Sequence, residues 1–136
     1  MATQSIVNTI LKFYPNTEAI YLFGSYGTEF ERPDSDLDIA LLLPWSAELK
    51  QNTLALTPCW SALTELFSRK IDLINLRGTN TVFQNEIINT GRVIYEADED
   101  LRLAFEMLVL SMYQKLSEER KEILESFFET KRAYKV

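Results

Sequence analysis

Three aspartates stand within five residues, immediately before an apolar run at residues 39–43: Asp34, Asp36 and Asp38. If the segment is a strand, side chains alternate between its faces, so Asp36 and Asp38 share one face. Asp34 follows Pro33 and is expected to shape a turn. Two carboxylates on one face repel each other unless a cation lies between them, so Asp36 and Asp38 predict a divalent-metal site. Because the chain contains no histidine, oxygen ligands and therefore Mg²⁺, Mn²⁺ or Ca²⁺ are favoured.

Two further positions complete a possible reaction site. Asp72 stands near the start of another predicted strand and would supply a third carboxylate if the two strands are neighbours; taken alone, it could be an ion-pair partner for Arg69 or Lys70. Gly24-Ser25 follows an apolar run, where free backbone N–H groups favour an anion and glycine lets a phosphate approach. A triphosphate bound there would present its α-phosphate to the metal, which is the arrangement required for nucleotidyl transfer.

The spacing of these residues resembles a known signature. Gly24-Ser25, ten intervening residues and Asp36-Leu37-Asp38 are similar to the signature of the nucleotidyltransferase superfamily related to DNA polymerase beta, and Asp72 matches its third carboxylate. The small chain resembles the minimal nucleotidyltransferases. The stretch "FGSYGTEFERPDSDLDIALLL" resembles the antitoxins of HEPN/MNT toxin–antitoxin pairs, and the whole resemblance covers about residues 18 to 96.

The resemblance implies a role for each residue of the signature. Asp36, Asp38 and Asp72 would hold Mg²⁺, with Mn²⁺ as an alternative, and Asp72 would also orient or deprotonate the acceptor. Gly24 and Ser25 would bind the triphosphate of ATP. The acceptor would be a tyrosine hydroxyl on the cognate HEPN ribonuclease toxin, and the attached AMP would silence that toxin.

One departure from the family pattern concerns phosphate binding. Many members carry one or two arginines just after the Gly-Ser pair, where this chain has Tyr26, Gly27 and Thr28, and its nearest basic residue is Arg32. The triphosphate would then be held mainly by backbone amides, by Ser25 and by the metal.

The elements that must position these residues alternate along the chain. Apolar periodicity predicts helices at residues 3–14, 46–68 (interrupted at Pro58), 80–90 and 98–132, a short helical segment after Ser25, and strands at 19–23, 36–43, 70–76 and 92–96. Thr3 and Gly91 are the expected caps of the first and third long helices. The expected fold is α+β and polymerase-beta-like, with a short mixed sheet flanked by helices.

The 136 residues predict a single minimal nucleotidyltransferase domain, with a core at about 1–97 and a C-terminal helical extension at about 98–132. Ser117 is expected to cap a new helix that folds back on the first half of this extension. The two tryptophans, Trp45 and Trp60, are expected to be packing residues rather than a platform for base stacking.

Composition indicates which classes of binding partner are favoured. The net charge of −6 disfavours direct nucleic-acid binding, because affinity for phosphate backbones comes from Lys and Arg. The single cysteine, the absence of a signal-peptide pattern and the absence of a long apolar run indicate a cytoplasmic protein without a membrane span.

Two alternatives to protein AMP transfer remain open. The apolar residues between 101 and 113 occupy more than one helix face, which suits an antitoxin that blocks its toxin by binding alone. A nucleotidyltransferase that modifies RNA ends or small antibiotics is the other, although the acidic charge disfavours RNA.

Overall fold

The computed structural model describes residues 2–25, 29, 31–32, 35–45 and 53–133. The elements, in chain order, are α1 (Ala2–Phe13), β1 (Ala19–Phe23), β2 (Leu37–Leu42), α2 (Pro58–Phe67), β3 (Ile71–Asn75), a 3₁₀ turn (Leu76–Gly78), α3 (Thr81–Thr90), β4 (Arg92–Glu96) and α4 (Glu99–Ala133). The short helical segment expected after Ser25 and the turn expected at Pro33 and Asp34 lie outside the described residues. Among the described elements, the predicted alternation of helices and strands is confirmed.

The four strands form one mixed sheet in the order β3-β2-β1-β4. β1 pairs with β2 and with β4 in antiparallel fashion, whereas β2 and β3 are parallel. The predicted mixed sheet of an α+β fold is therefore confirmed. The division into a core at 1–97 and an extension stays a prediction.

Helices cover both faces of the sheet, which explains why β2 is apolar on both of its sides. On one face, α1 and α2 pack against the sheet, and the core between them includes Ile6, Ile10, Ile20, Leu22, Ile39, Leu41, Leu63 and Leu73. The other face packs against α3 and α4 and includes Tyr21, Ala40, Leu42, Ile74, Ile87, Phe105 and Val109. The two sets alternate along each central strand, so a residue's position in the strand determines which helices it meets.

The second predicted helix is shorter than expected. α2 begins at Pro58, with Thr57 as its N-cap accepting a hydrogen bond from the Trp60 backbone N–H. Proline suits the first helical position because it has no N–H to satisfy there. Thr53 instead forms a β-bridge with Ile74, so the prediction of helix at 53–57 is wrong. Residues 46–52 lie outside the described residues.

Two predicted caps have different outcomes. α1 begins at Ala2, so Thr3 lies inside the helix and is not its cap. Gly91 ends α3 as predicted, and its N–H donates to the Ile87 carbonyl; its φ of −78° is not left-handed. A Cβ on Gly91 would lie 2.5 Å from that carbonyl oxygen, so glycine is required there by close packing.

The C-terminal extension is a single helix, which corrects the expected break at Ser117. α4 runs for 35 residues without interruption. The chain has no glycine or proline after Gly91, so nothing interrupts the ladder of backbone hydrogen bonds. The described side chains from Ser117 onward are exposed, and this half of α4 does not fold back.

The two tryptophans differ. Trp60 packs against the core of the α1/α2 face, and its indole N–H donates to the Ile71 carbonyl at 2.8 Å. Trp45 is 72% exposed, so the expectation of a packing role is wrong for it.

None of the helices in the described part of the chain is both long and apolar enough to cross a membrane.

Candidate active site

The parallel pairing of β2 and β3 places two of the predicted carboxylates side by side. Asp38 and Asp72 are register partners, and each is the second residue of its strand. Ala40 stands two positions after Asp38, Ile74 stands two positions after Asp72, and both lie on the sheet face that packs against α3 and α4. Because side chains two apart in a strand share a face, both aspartates lie on that face as well. Asp38 is half-buried and Asp72 is exposed, so the pair lies at the solvent-accessible end of the sheet.

The third predicted carboxylate, Asp36, stands just before β2. One of its oxygens, Oδ2, lies 3.8 Å from the Lys70 ammonium. The backbone is fixed beside it, since the Leu37 N–H donates to the Lys70 carbonyl at 2.9 Å. Asp36 is thus held at the same edge of the sheet as Asp38 and Asp72.

Gly24 closes the other side of this edge. It follows β1, whose last residue, Phe23, is the register partner of Asp38. The φ of Gly24 is +75°, and a Cβ on it would lie 2.1 Å from Asp38 Oδ2. Glycine is therefore required twice, once by the left-handed backbone and once by the adjacent carboxylate. Ser25 continues the turn and is half-buried, so the Gly-Ser backbone runs directly past Asp38.

The surroundings of Asp38 disfavour its negative charge. Burial raises the pKa of Asp38 from 3.8 to about 6, and the carboxylates of Asp72 and Asp36 add to this increase, while Lys70 opposes it. The ionised form of Asp38 is therefore costly in the protein alone. A divalent cation placed against these carboxylates would remove that cost.

The chemistry of the donor set fits Mg²⁺. Two adjacent strands supply three carboxylates and no nitrogen or sulfur ligand, which is the ligand type that Mg²⁺ and Mn²⁺ prefer. In the part of the chain that the structure describes, no three acidic or cysteine side chains converge into a ready-made cage for an ion. The metal-binding role of Asp36, Asp38 and Asp72, and the nucleotide-binding role of Gly24 and Ser25, stay predictions.

Lys70 is a neighbour of the site that was not among the predicted site residues. The alternative interpretation of Asp72 was an ion pair with Arg69 or Lys70, whereas Lys70 contacts Asp36. Arg69 pairs with Glu31 at 3.3 Å. The spacing of Lys70 two residues before Asp72 was the available signal, because in extended chain such residues share a face.

A large groove lies away from the three carboxylates. Its volume is about 940 Å³, and it is lined by α3, the middle of α4, Arg77 and Trp45. Trp45 follows the end of β2, whereas Asp38 is the second residue of that strand, and none of the three carboxylates lines the groove. Its titratable lining residues are Arg77, Glu86 and Arg120, with a single carboxylate among them. The carboxylate edge, where the pKa of Asp38 is raised, is therefore the better candidate for chemistry.

Known proteins resemble the chain over most of its length. It is 31% identical over 120 residues to the protein adenylyltransferase MntA of Shewanella oneidensis, covering 88% of this chain and 83% of that protein. A chain of a toxin–antitoxin crystal structure with AMP-PNP superposes with a TM-score of 0.74 at 27% identity, covering 94% of this chain and 99% of that one.

A second solved structure matches a similar share of the chain. In a complex of a tri-AMPylated Shewanella oneidensis HEPN toxin with an MNT antitoxin, the matching chain has a TM-score of 0.68 and 28% identity, covering 93% of this chain and 95% of that one. The model of the family described as "Polymerase beta, Nucleotidyltransferase" matches residues 5–100, which include β1 to β4 and all five predicted site residues. The chain therefore belongs to the polymerase beta nucleotidyltransferase family.

Proposed function

We propose that the chain is the antitoxin of a toxin–antitoxin pair, and that it transfers AMP from ATP to a tyrosine hydroxyl of its cognate HEPN ribonuclease toxin. The observation that carries this proposal is the carboxylate edge itself. Asp38 and Asp72 are register partners on parallel strands, and the Gly24 backbone lies against the Asp38 carboxylate. This arrangement suits the binding of a metal and a triphosphate next to each other.

The similar proteins support the choice of reaction and of acceptor. The Shewanella relative is named a protein adenylyltransferase. One structural neighbour contains an ATP analogue, and another contains a HEPN toxin carrying three AMP groups in complex with an MNT antitoxin. We transfer this activity to the present chain as a proposal.

The reaction assigns a task to each group. The backbone N–H groups at Gly24 and Ser25 would bind the triphosphate, and Asp36, Asp38 and Asp72 would hold Mg²⁺, which supplies charge neutralisation at the phosphates when bound. Asp72 would also orient the tyrosine hydroxyl and accept its proton. The tyrosine oxygen bonds to the α-phosphorus as the bond to the bridging oxygen breaks, and pyrophosphate leaves.

The test is intact-mass spectrometry of the cognate toxin after incubation with this chain, ATP and Mg²⁺. The toxin should gain the mass of one or more AMP groups. Asp38→Asn should lower the transfer rate by roughly two orders of magnitude or more, because metal ligation contributes several kcal/mol to such reactions. Glu65→Gln, which removes one exposed charge on α2, is the matched control and should transfer normally. An unmodified toxin with the unaltered chain would refute the proposal.

A purely steric antitoxin is the second candidate, and α4 favours it. Large apolar side chains lie exposed along this helix: Leu101, Leu103, Met107, Leu108, Leu110, Met112, Ile123, Leu124, Phe127 and Phe128. An apolar surface of this extent is typical of a protein-binding face. If an Asp36→Asn, Asp38→Asn double variant still neutralised the toxin fully at equal expression, binding alone would explain neutralisation.

A further inference from the structure

Lys70 is the basic residue that the fold places against the carboxylate edge. Its ammonium lies 3.8 Å from Asp36 Oδ2, and its side chain is 77% exposed. Its backbone is fixed, because the Lys70 carbonyl accepts the Leu37 N–H at 2.9 Å. The root of the side chain is thus anchored beside β2, while its charged end is free to move in solvent.

The neighbouring arginines are placed differently. The Arg69 guanidinium contacts Glu31 at 3.3 Å and the Ser35 carbonyl at 3.5 Å. Arg92 is the register partner of Leu22, which packs on the α1/α2 face. Register partners share a face, so Arg92 lies on the face of the sheet opposite to Asp38. Lys70, by contrast, directly contacts Asp36.

The contact between Lys70 and Asp36 is weak enough to exchange. Ion pairs between exposed groups contribute little to stability, because water screens them and the side chains lose freedom. A divalent cation at Asp36 and Asp38 would repel the ammonium at close range. Since lysine is a charge on a flexible four-carbon stem, the released ammonium stays near the site, where a triphosphate brings negative charge.

We propose that Lys70 is an exchangeable counter-ion: it holds Asp36 in the metal-free protein, and when Mg²⁺ and ATP bind, it leaves Asp36 and contacts the triphosphate. It would then provide the basic group that Tyr26, Gly27 and Thr28 do not. This inference rests on the proposed binding of Mg²⁺ and ATP at the carboxylate edge. It does not depend on the identity of the acceptor.

The exchange predicts two effects of opposite sign for Lys70→Gln. Without the competing ammonium, the nucleotide-free protein should bind Mn²⁺ about threefold more tightly, as measured by electron paramagnetic resonance of free Mn²⁺. With Mg²⁺ saturating, the same variant should bind AMP-PNP about tenfold more weakly in calorimetry, because one charge-assisted contact to phosphate is lost. Lys70→Arg should restore AMP-PNP binding to within about threefold of the unaltered protein.

The control is Lys12→Gln, which removes an exposed lysine from α1 and should change neither affinity. If Lys70 were merely structural, Lys70→Gln would weaken both affinities together, which overturns the proposal. Unchanged AMP-PNP affinity also overturns it, as does an unaltered protein that binds neither Mn²⁺ nor AMP-PNP. Opposite shifts without any AMP transfer to the toxin would uphold the exchange and refute the proposed function instead.

Discussion

At the scale of single residues, Asp38 carries a charge that the fold itself disfavours. It is half-buried, it lies beside Asp72 on the next strand, and its pKa is raised to about 6, chiefly by burial. The folded protein would be more stable with a neutral side chain at this position, yet the residue is an aspartate. Such a residue is typical of a site selected for binding rather than for stability.

Asp38→Asn should stabilise the metal-free protein while it removes activity. The raised pKa corresponds to roughly 3 kcal/mol, and since Asp38 is only half-buried, solvent screening reduces the expected gain to about 1 kcal/mol. The measurement is urea unfolding at pH 7 in the presence of a chelator. Glu65→Gln is the control and should leave the free energy of unfolding unchanged.

The same variant has a defined pH dependence. Well below pH 3.8, the usual pKa of the group, Asp38 is protonated in both the folded and the unfolded chain, so the two proteins should be about equally stable. Because the folded state binds this proton more tightly, the favourable contribution of neutral Asp38 is lost as the pH rises through about 6. A stability difference that shrank between pH 4 and pH 7 would contradict the sign of this shift.

At the scale of elements, α4 is attached to the sheet through a polar network as well as through Phe105 and Val109. The Tyr21 hydroxyl, on β1, donates to Glu106 at 2.9 Å. The Arg102 guanidinium donates to Glu106 at 3.0 Å and also pairs with Glu96. Burial and the Glu106 carboxylate raise the pKa of Tyr21, so its hydroxyl stays a hydrogen-bond donor throughout the neutral range.

Tyr21→Phe should therefore cost about 1 kcal/mol of unfolding free energy, the usual contribution of one hydrogen bond. The Arg102 contact limits the loss, because Glu106 keeps a charged partner. Urea unfolding measures the change, and Tyr113→Phe on α4 is the comparison, since Tyr113 is only half-buried. An equal loss in both variants would show that the Tyr21–Glu106 bond does not secure α4.

At the scale of the whole molecule, α4 extends beyond the body that it covers. A helix of 35 residues is about 52 Å long at 1.5 Å per residue. Phe105 and Val109 pack on the sheet, whereas the described side chains from Ser117 onward are exposed. The second half nevertheless carries Ile123 and Phe127, which are 67% and 58% exposed.

Deleting residues 117–136 should therefore leave the body folded and remove binding to a partner. The free energy of unfolding should change by less than about 1 kcal/mol, because the described side chains of this segment, at residues 117–129, are exposed. If the toxin docks on this half of α4, the truncated chain should lose toxin capture in a pull-down and neutralisation in cells. Ile123→Glu with Phe127→Glu in the full chain should do the same, whereas Glu122→Gln with Glu125→Gln should not. Full toxin capture by the truncated chain would exclude this half as a docking face.

Local physical chemistry made much of the fold predictable from the sequence. The bounds of β1 and β4 follow from short apolar runs next to glycine, and the alternation of Asp36 and Asp38 follows from strand geometry. The end of α1 before Pro15 and the end of α3 at Gly91 follow from backbone sterics. Polar residues in a fixed spacing also indicated the family, because the signature lies within one continuous segment.

Only the tertiary structure decided the relations between distant segments. The parallel register of β2 and β3 pairs Asp38 with Asp72 across 34 positions of sequence, and the close approach of Gly24 to Asp38 depends on β1 lying beside β2. The choice of Asp36 as the partner of Lys70 and the continuity of α4 past Ser117 also depend on packing. Each is set by which surfaces meet and by how much water they exclude, and a local pattern in the sequence does not contain that information.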